Sequence, residues 1–207
     1  MYALDANTTA SNNTAVGYQA GYSNTTGTSI TALGYQAAYG STTNSHVTAI
    51  GWNAGKYAAG SELTAIGSNA AGLGALTGGS NVLVGSYSGY DMTSGNQNSA
   101  LGQATLYENT TGASNTASGY QAIRYNTTGS NNVGLGKDAL FKNTTASNNT
   151  AVGYQAGYTN QTGGYNTFVG YKAGYTSNNS GNALNTCVGH QAGYSLTTGY
   201  QNCFVGQ

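Results

Sequence analysis

The chain has 207 residues, five Lys+Arg against five Asp+Glu, and a mix of 33 Gly, 18 Tyr and no Pro. The charges cancel and the basic residues Lys56, Arg124, Lys137, Lys142 and Lys172 are scattered, so the clustered cations that displace counterions from a nucleic acid are missing. Low charge with many aromatics argues against a disordered tail, no apolar run approaches the ~18 residues of a membrane span, and the opening MYALDANTTA has neither the basic nor the apolar region of a secretion signal.

The sixteen letters NTTASNNTAVGYQAGY at 7–22 return unchanged at 143–158, a displacement of eight times 17 residues. Following the glycine of TAVG gives Gly17, Gly34, Gly51, Gly67, Gly85, Gly102, Gly119, Gly136, Gly153, Gly170, Gly189 and Gly206. The steps are 17, 17, 16, 18, 17, 17, 17, 17, 17, 19 and 17. Twelve units therefore fill residues 1–207 as a single array, with no second domain and no linker.

With that glycine as position zero, the columns separate by residue type. Position minus one is a branched aliphatic in eleven of twelve units, from Val16 through Val152 to Val205, and reads as a dry column. Minus three is mostly Thr, as at Thr14, Thr31 and Thr150, and minus four is Asn in nine units, including Asn13 and Asn149. Aromatics recur at plus one (Tyr18, Trp52, Tyr154) and plus five (Tyr22, Phe141, Tyr158), with Ala usual at plus three. The alternation has period two, the signature of strands, while stretches such as SNTTGTS carry turn chemistry. Each unit is thus one or two short strands plus tight turns, and units this small must stack to share a core. The expected fold is an all-β repeat solenoid of twelve rungs, with about 17 residues per rung. Its structural ladder runs through Asn13, Val16, Gly17, Tyr18 and Tyr22 in the first unit, and Asn149, Val152, Gly153, Tyr154 and Tyr158 in the ninth. Stacked Asn amides would bond to one another, and Gly17 and Gly153 would stand where the backbone bends or two backbones meet. A single thin solenoid of this kind is marginal and both side-chain parities are buriable, so several chains side by side are expected, three above other numbers. At one strand spacing per rung the rod would be about 55 to 60 Å long.

Departures from the repeat carry little chemistry. His46 sits alone, and His190 replaces a plus-one Tyr, so it reads as one more ring in a file. Ser61 to Gly85 replaces both Tyr columns with small residues and is expected to bend or thin the shaft. GLGKDA at 134–139 fits a dinucleotide fingerprint but lacks its strand-turn-helix context, and is the eighth unit with Gly134 in place of Ala. Asp5, Glu62, Asp91, Glu108 and Asp138 read as sharing no offset, hence no acid/base pair and no calcium ladder. The sequons at Asn24, Asn109, Asn126 and Asn143 read as chance products of Asn/Thr-rich turns. Cys187 and Cys203 read as core-filling residues, with a disulfide as the lesser alternative; no catalytic residue, cofactor or metal site is expected.

The N-T-A-[VIL]-G-Y-Q-A unit, as at 13–20, 149–156 and, in varied form, 166–173, resembles the head repeats of trimeric autotransporter adhesins. It is closer still to the NTAxGYQA arrays of phage tail fibres that often end in an endosialidase-type chaperone. The resemblance implies a homotrimeric, left-handed parallel β-roll acting as a non-enzymatic fibre shaft or adhesin, on a virion or at a cell surface. In the phage reading the chain needs no export signal. The alternative is a bacterial surface filament whose exposed Tyr columns grip a glycan, and it requires an export segment. A lesser alternative is ice binding by the turn threonines, such as Thr25-Thr26 and Thr127-Thr128. The end at Gln207, in mid-unit, reads as truncation or processing.

Overall fold

The structure is a computed structural model that describes residues 2–206; Met1 and Gln207, the outermost positions of the array, lie outside the described residues. Among the described residues there are fourteen strands and no helix. Twelve of the strands form one parallel sheet, one per repeat: β1 (Thr14–Val16), β2 (Thr31–Leu33), β3 (Val47–Ile50), β4 (Leu63–Ile66), β5 (Val82–Val84), β6 (Ser99–Leu101), β7 (Thr116–Ser118), β8 (Val133–Leu135), β9 (Thr150–Val152), β11 (Thr167–Val169), β13 (Thr186–Val188) and β14 (Cys203–Val205). The other two, β10 (Thr162–Gly164) and β12 (Ser180–Asn182), make a small parallel ladder beside it. Register is one unit per layer: Ala15 pairs with Ala32, Val16 with Leu33, and Leu135 with Val152. The chain is therefore a parallel β-solenoid in which each repeat is one turn.

In most turns only three or four residues are strand; the remainder is laddered in another way. Positions plus two and plus four take left-handed φ, as at Gln36 (52°) and Ala38 (50°), between right-handed neighbours. This alternation points successive amides at different layers. The Gln36 amide donates to the Tyr18 carbonyl of the preceding turn at 2.9 Å, and the Ala38 amide to the Ala54 carbonyl of the following turn at 2.9 Å. Backbone groups that would otherwise be orphaned inside a tight turn are paired up and down the stack.

The zero-position glycines are fixed by two requirements. Gly102 has φ +135°, and a Cβ built there would lie 2.7 Å from the Gly119 carbonyl oxygen of the next layer. Gly51 and Gly136 meet their successors in the same way, at 2.7 and 2.6 Å. No side chain fits between the two backbones.

The interior is narrow, and this overturns the expectation of a buried aliphatic column. The minus-two residue points inward, as with Ala32, Ala49, Ala65 and Ala151, all fully buried. It packs against plus three and plus four of the same turn, as with Ala37 and Ala38. The minus-one aliphatics point outward: Val16 is 61 % exposed and Val152 half-buried. A turn of this length returns so close to its own strand that only a small side chain fits within, which forces the branched residue to the outside. Exceptions prove the limit, because a large residue at one wall is met by glycine at the other. Leu83 faces Gly89, where an added Cβ would lie 2.8 Å from Leu83 Cδ1, and Phe168 faces Gly157, at 2.6 Å from Phe168 Cδ2. Gly134 gives way to Ile123, whose Cγ1 would be 2.6 Å from a Cβ at 134. That is the structural reason for the glycine in GLGKDA.

From Ser61 to Gly85 the sheet runs through unbroken, β3 pairing with β4 and β4 with β5. The expected thinning is not seen, for Leu63, Leu76 and Leu83 fill the interior there.

Candidate functional site

The expected Asn ladder is present and makes two bonds per step. Asn132 Oδ1 accepts from the Asn149 amide at 3.0 Å and from Asn149 Nδ2 at 3.2 Å, while Asn132 Nδ2 donates to the Ala146 carbonyl at 2.8 Å. Asn149 repeats this toward Asn166, at 2.9 and 3.1 Å, and Asn13 opens the series by accepting from the Ile30 amide at 2.9 Å. Where Asn is replaced, at Ile30, Val47 and Leu63, the side chain is apolar and fully enclosed.

A second Asn ladder escaped the sequence reading. Asn24, Asn109, Asn126, Asn143 and Asn160, each seven residues past its glycine, are completely buried. Each clamps its own turn, as Asn126 donates to the Gly129 carbonyl at 2.8 Å, and Asn24, Asn126 and Asn143 also reach the layer before, Asn143 donating to Asn126 Oδ1 at 2.7 Å. Four of these are the sequon asparagines, so their recurrence has a structural cause and is not chance. Their common offset was the available signal. The neighbouring threonines also point into the stack: Thr110 Oγ1 donates to the Thr127 carbonyl at 2.9 Å and Thr127 Oγ1 to the Thr144 carbonyl at 3.0 Å. Their hydroxyl protons are engaged within the rod, which weakens the case for an ordered-water face at the turns.

The aromatic columns form stacked files. Tyr22 lies on Tyr39 at 5.2 Å, and Phe141, Tyr158, Tyr175 and Tyr194 follow at steps of 5.1 Å. In the plus-one file, Tyr18 stacks on Tyr35 at 5.3 Å and Tyr154 on Tyr171 at 5.4 Å, and His190 continues the file at 5.0 Å from Tyr171. Lys137 takes a ring's place between Tyr120 and Tyr154, with its ammonium 5.7 and 5.6 Å from their centroids. The plus-five rings are half-buried against the turns, whereas Tyr18, Tyr35, Trp52, Tyr120, Tyr154 and Tyr171 of the plus-one file are exposed.

The plus-one file breaks at Ser68, Ser86 and Gln103. Beside the break lies a hollow of about 320 Å³ lined by Tyr87, Tyr107, Tyr120, Gln103, Gln121 and Arg124. The Arg124 guanidinium lies over Tyr107 at 4.8 Å and Tyr125 at 5.3 Å, and its Nε has no partner among the described residues. Nearby, one sequence expectation is corrected. Asp91 and Glu108 do share an offset, six residues past Gly85 and Gly102, and the solenoid brings them onto adjacent layers. Burial raises the Asp91 carboxyl above its ordinary range; burial and then the Asp91 charge raise Glu108, against a lowering pull from Arg124.

The cysteines divide between the two sides of the sheet. Cys187 is buried at minus two, where burial and then Cys203 push its thiol up to about 11, while Cys203 is exposed at minus three; both are free thiols. The core-filling reading therefore fits Cys187 and is corrected for Cys203. His46 is exposed in a left-handed turn position, and no group of three His, Cys, Asp or Glu residues that could hold a metal occurs among the described residues. No helix among the described residues is long and apolar enough to cross a membrane.

What remains unpaired is the outer sheet face, where the minus-one aliphatics run beside the minus-three threonines along all twelve strands. A comparison with protein-family models finds no match, and neither does a comparison with curated proteins or one with solved structures.

Proposed function

We propose that the chain is the shaft of a surface fibre, carried on a virion or on a cell exterior, with a mechanical and non-enzymatic role in presenting or making attachments. The observation that carries this reading is the uninterrupted ladder from Thr14 to Val205. Main-chain pairs repeat there at every layer, with Asn amides and stacked rings laddered along much of the same stack. The resemblance of the N-T-A-[VIL]-G-Y-Q-A unit to tail-fibre arrays supports the same reading and implies side-by-side association, with three chains as the expected number. Antibody to this chain, gold-labelled and applied to the intact particle or cell, should decorate thin filaments projecting from the surface. Label confined to the interior would contradict the proposal.

A second reading, glycan attachment, is favoured by the hollow at the break in the ring file. Tyr87 and Tyr120 offer aromatic faces for a pyranose ring, and Gln103, Gln121 and Arg124 offer donors for its hydroxyls. On an array of neutral and acidic oligosaccharides, the wild-type chain should retain a neutral sugar. Tyr120→Ala should weaken that retention by about tenfold, the loss of roughly 1.4 kcal/mol of stacking. No retention of any sugar would overturn this second reading and leave the shaft untouched.

A further inference from the structure

We infer that the outer face of the twelve-stranded sheet is where a second copy of this chain docks, rod alongside rod; the inference rests on the shaft reading only in taking the partner to be another copy. Four observations carry it. First, the file Val16, Leu33, Ile50, Ile66, Val84, Leu101 and onward to Val205 lies on the side of the sheet away from the interior. Val16, Leu101 and Val205 are among the most exposed apolar residues of the molecule. Single exposed aliphatics are ordinary on soluble proteins, but a file that is aliphatic in eleven of twelve layers, interrupted only at Ser118, marks an interaction surface.

Second, the minus-three and minus-one positions carry no charge in any of the twelve layers, although Lys, Arg, Asp and Glu occur elsewhere on the surface. A face meant for water in a fibre would be expected to place at least some of its few charges there. Third, the area suffices. Eleven steps of about 4.8 Å give a length near 53 Å, and the stretch from minus three to plus one is roughly 13 Å wide, so the face measures about 700 Å². That is close to the roughly 800 Å² that each partner contributes to a standard stable interface.

Fourth, the step selects the partner. Side chains on this face repeat at the strand spacing in fixed register from β1 to β14. A surface that interdigitates with such a file over twelve layers must have the same step, and a second copy of this chain has it by construction. A lipid surface or an irregular globular partner would match a few layers and then fall out of step.

Mass in solution tests the proposal. By light scattering the wild-type chain should weigh a multiple of 20.9 kDa. Leu101→Asp with Val152→Asp places unpaired carboxylates in the docked file and should weaken association by at least about a hundredfold, giving a 20.9 kDa species with the wild-type circular dichroism. Thr128→Asp, exposed on the turn side, should leave the multimer intact. If the double variant fails to fold, Val16→Asp alone, at the more exposed start of the file, gives the same readout. A multimer that survives the Asp substitutions overturns this face while leaving side-by-side association standing. A wild-type monomer overturns both.

Discussion

Replacing Gly102 with Ala should lower stability by about 3 to 5 kcal/mol. Two costs combine at this position. Its φ of +135° is a conformation that residues with a Cβ rarely adopt, and that Cβ would stand 2.7 Å from the Gly119 carbonyl oxygen, a backbone atom held by its own layer. Relief requires the two layers to separate, which stretches the parallel pairing of β6 with β7 and unseats the Asn98–Asn115 contact beside it. In a stack where each turn contacts only its neighbours, the damage weakens the coupling between the halves on either side. Gly181→Ala supplies the control. Its φ is +65° but nothing lies within 4 Å of the added methyl, so conformational strain alone should cost about 1 to 2 kcal/mol. Urea unfolding of the two variants separates crowding from strain; equal losses would mean that the layers are not in contact at the glycines.

Asn132→Ala should cost about 3 kcal/mol, because it removes one member of a buried polar file without removing its partners. The Asn149 amide and Asn149 Nδ2 both lose their acceptor, and the Asn115 side-chain oxygen loses a donor. None of these groups is open to water. Asn13→Ala, at the half-buried start of the same file, should cost about 1 kcal/mol, since solvent can replace what is lost there. Hydrogen exchange measures the consequence locally: the Asn149 amide should lose protection in Asn132→Ala, and unchanged protection would mean that the side-chain bond is not made. The run of Ile30, Val47 and Leu63 shows how the array itself departs from Asn, with consecutive apolar replacements and not an isolated gap.

The repeat length, the glycine column and the first Asn column were legible because each is a single residue type imposed by one steric or hydrogen-bonding demand at a fixed offset. Which way the strand faced was not. Val16 is more apolar than Ala15, so burial assigned by residue type puts Val16 inside, yet interior width admits only the smaller side chain. The trace of that width was present as compensation between minus two and plus four: Leu83 with Gly89, Phe168 with Gly174, Gly134 with Ile123 of the preceding turn. Reading it requires knowing that these positions face each other, which only the path of the turn decides. The buried Asn109, Asn126 and Asn143 were hidden for a related reason: Asn-Thr beside Gly is what both an exposed turn and an internally clamped one look like. The Asp91–Glu108 juxtaposition needed only the same column count applied to rarer residues.

The most direct test of one layer per repeat is high-resolution imaging of the purified rod by electron cryomicroscopy. Eleven axial steps of about 4.8 Å, each advancing the chain by one repeat so that the glycines from Gly17 to Gly206 form a single line about 53 Å long, are predicted. A particle without that axial spacing, or one in which neighbouring repeats are folded apart, would contradict it.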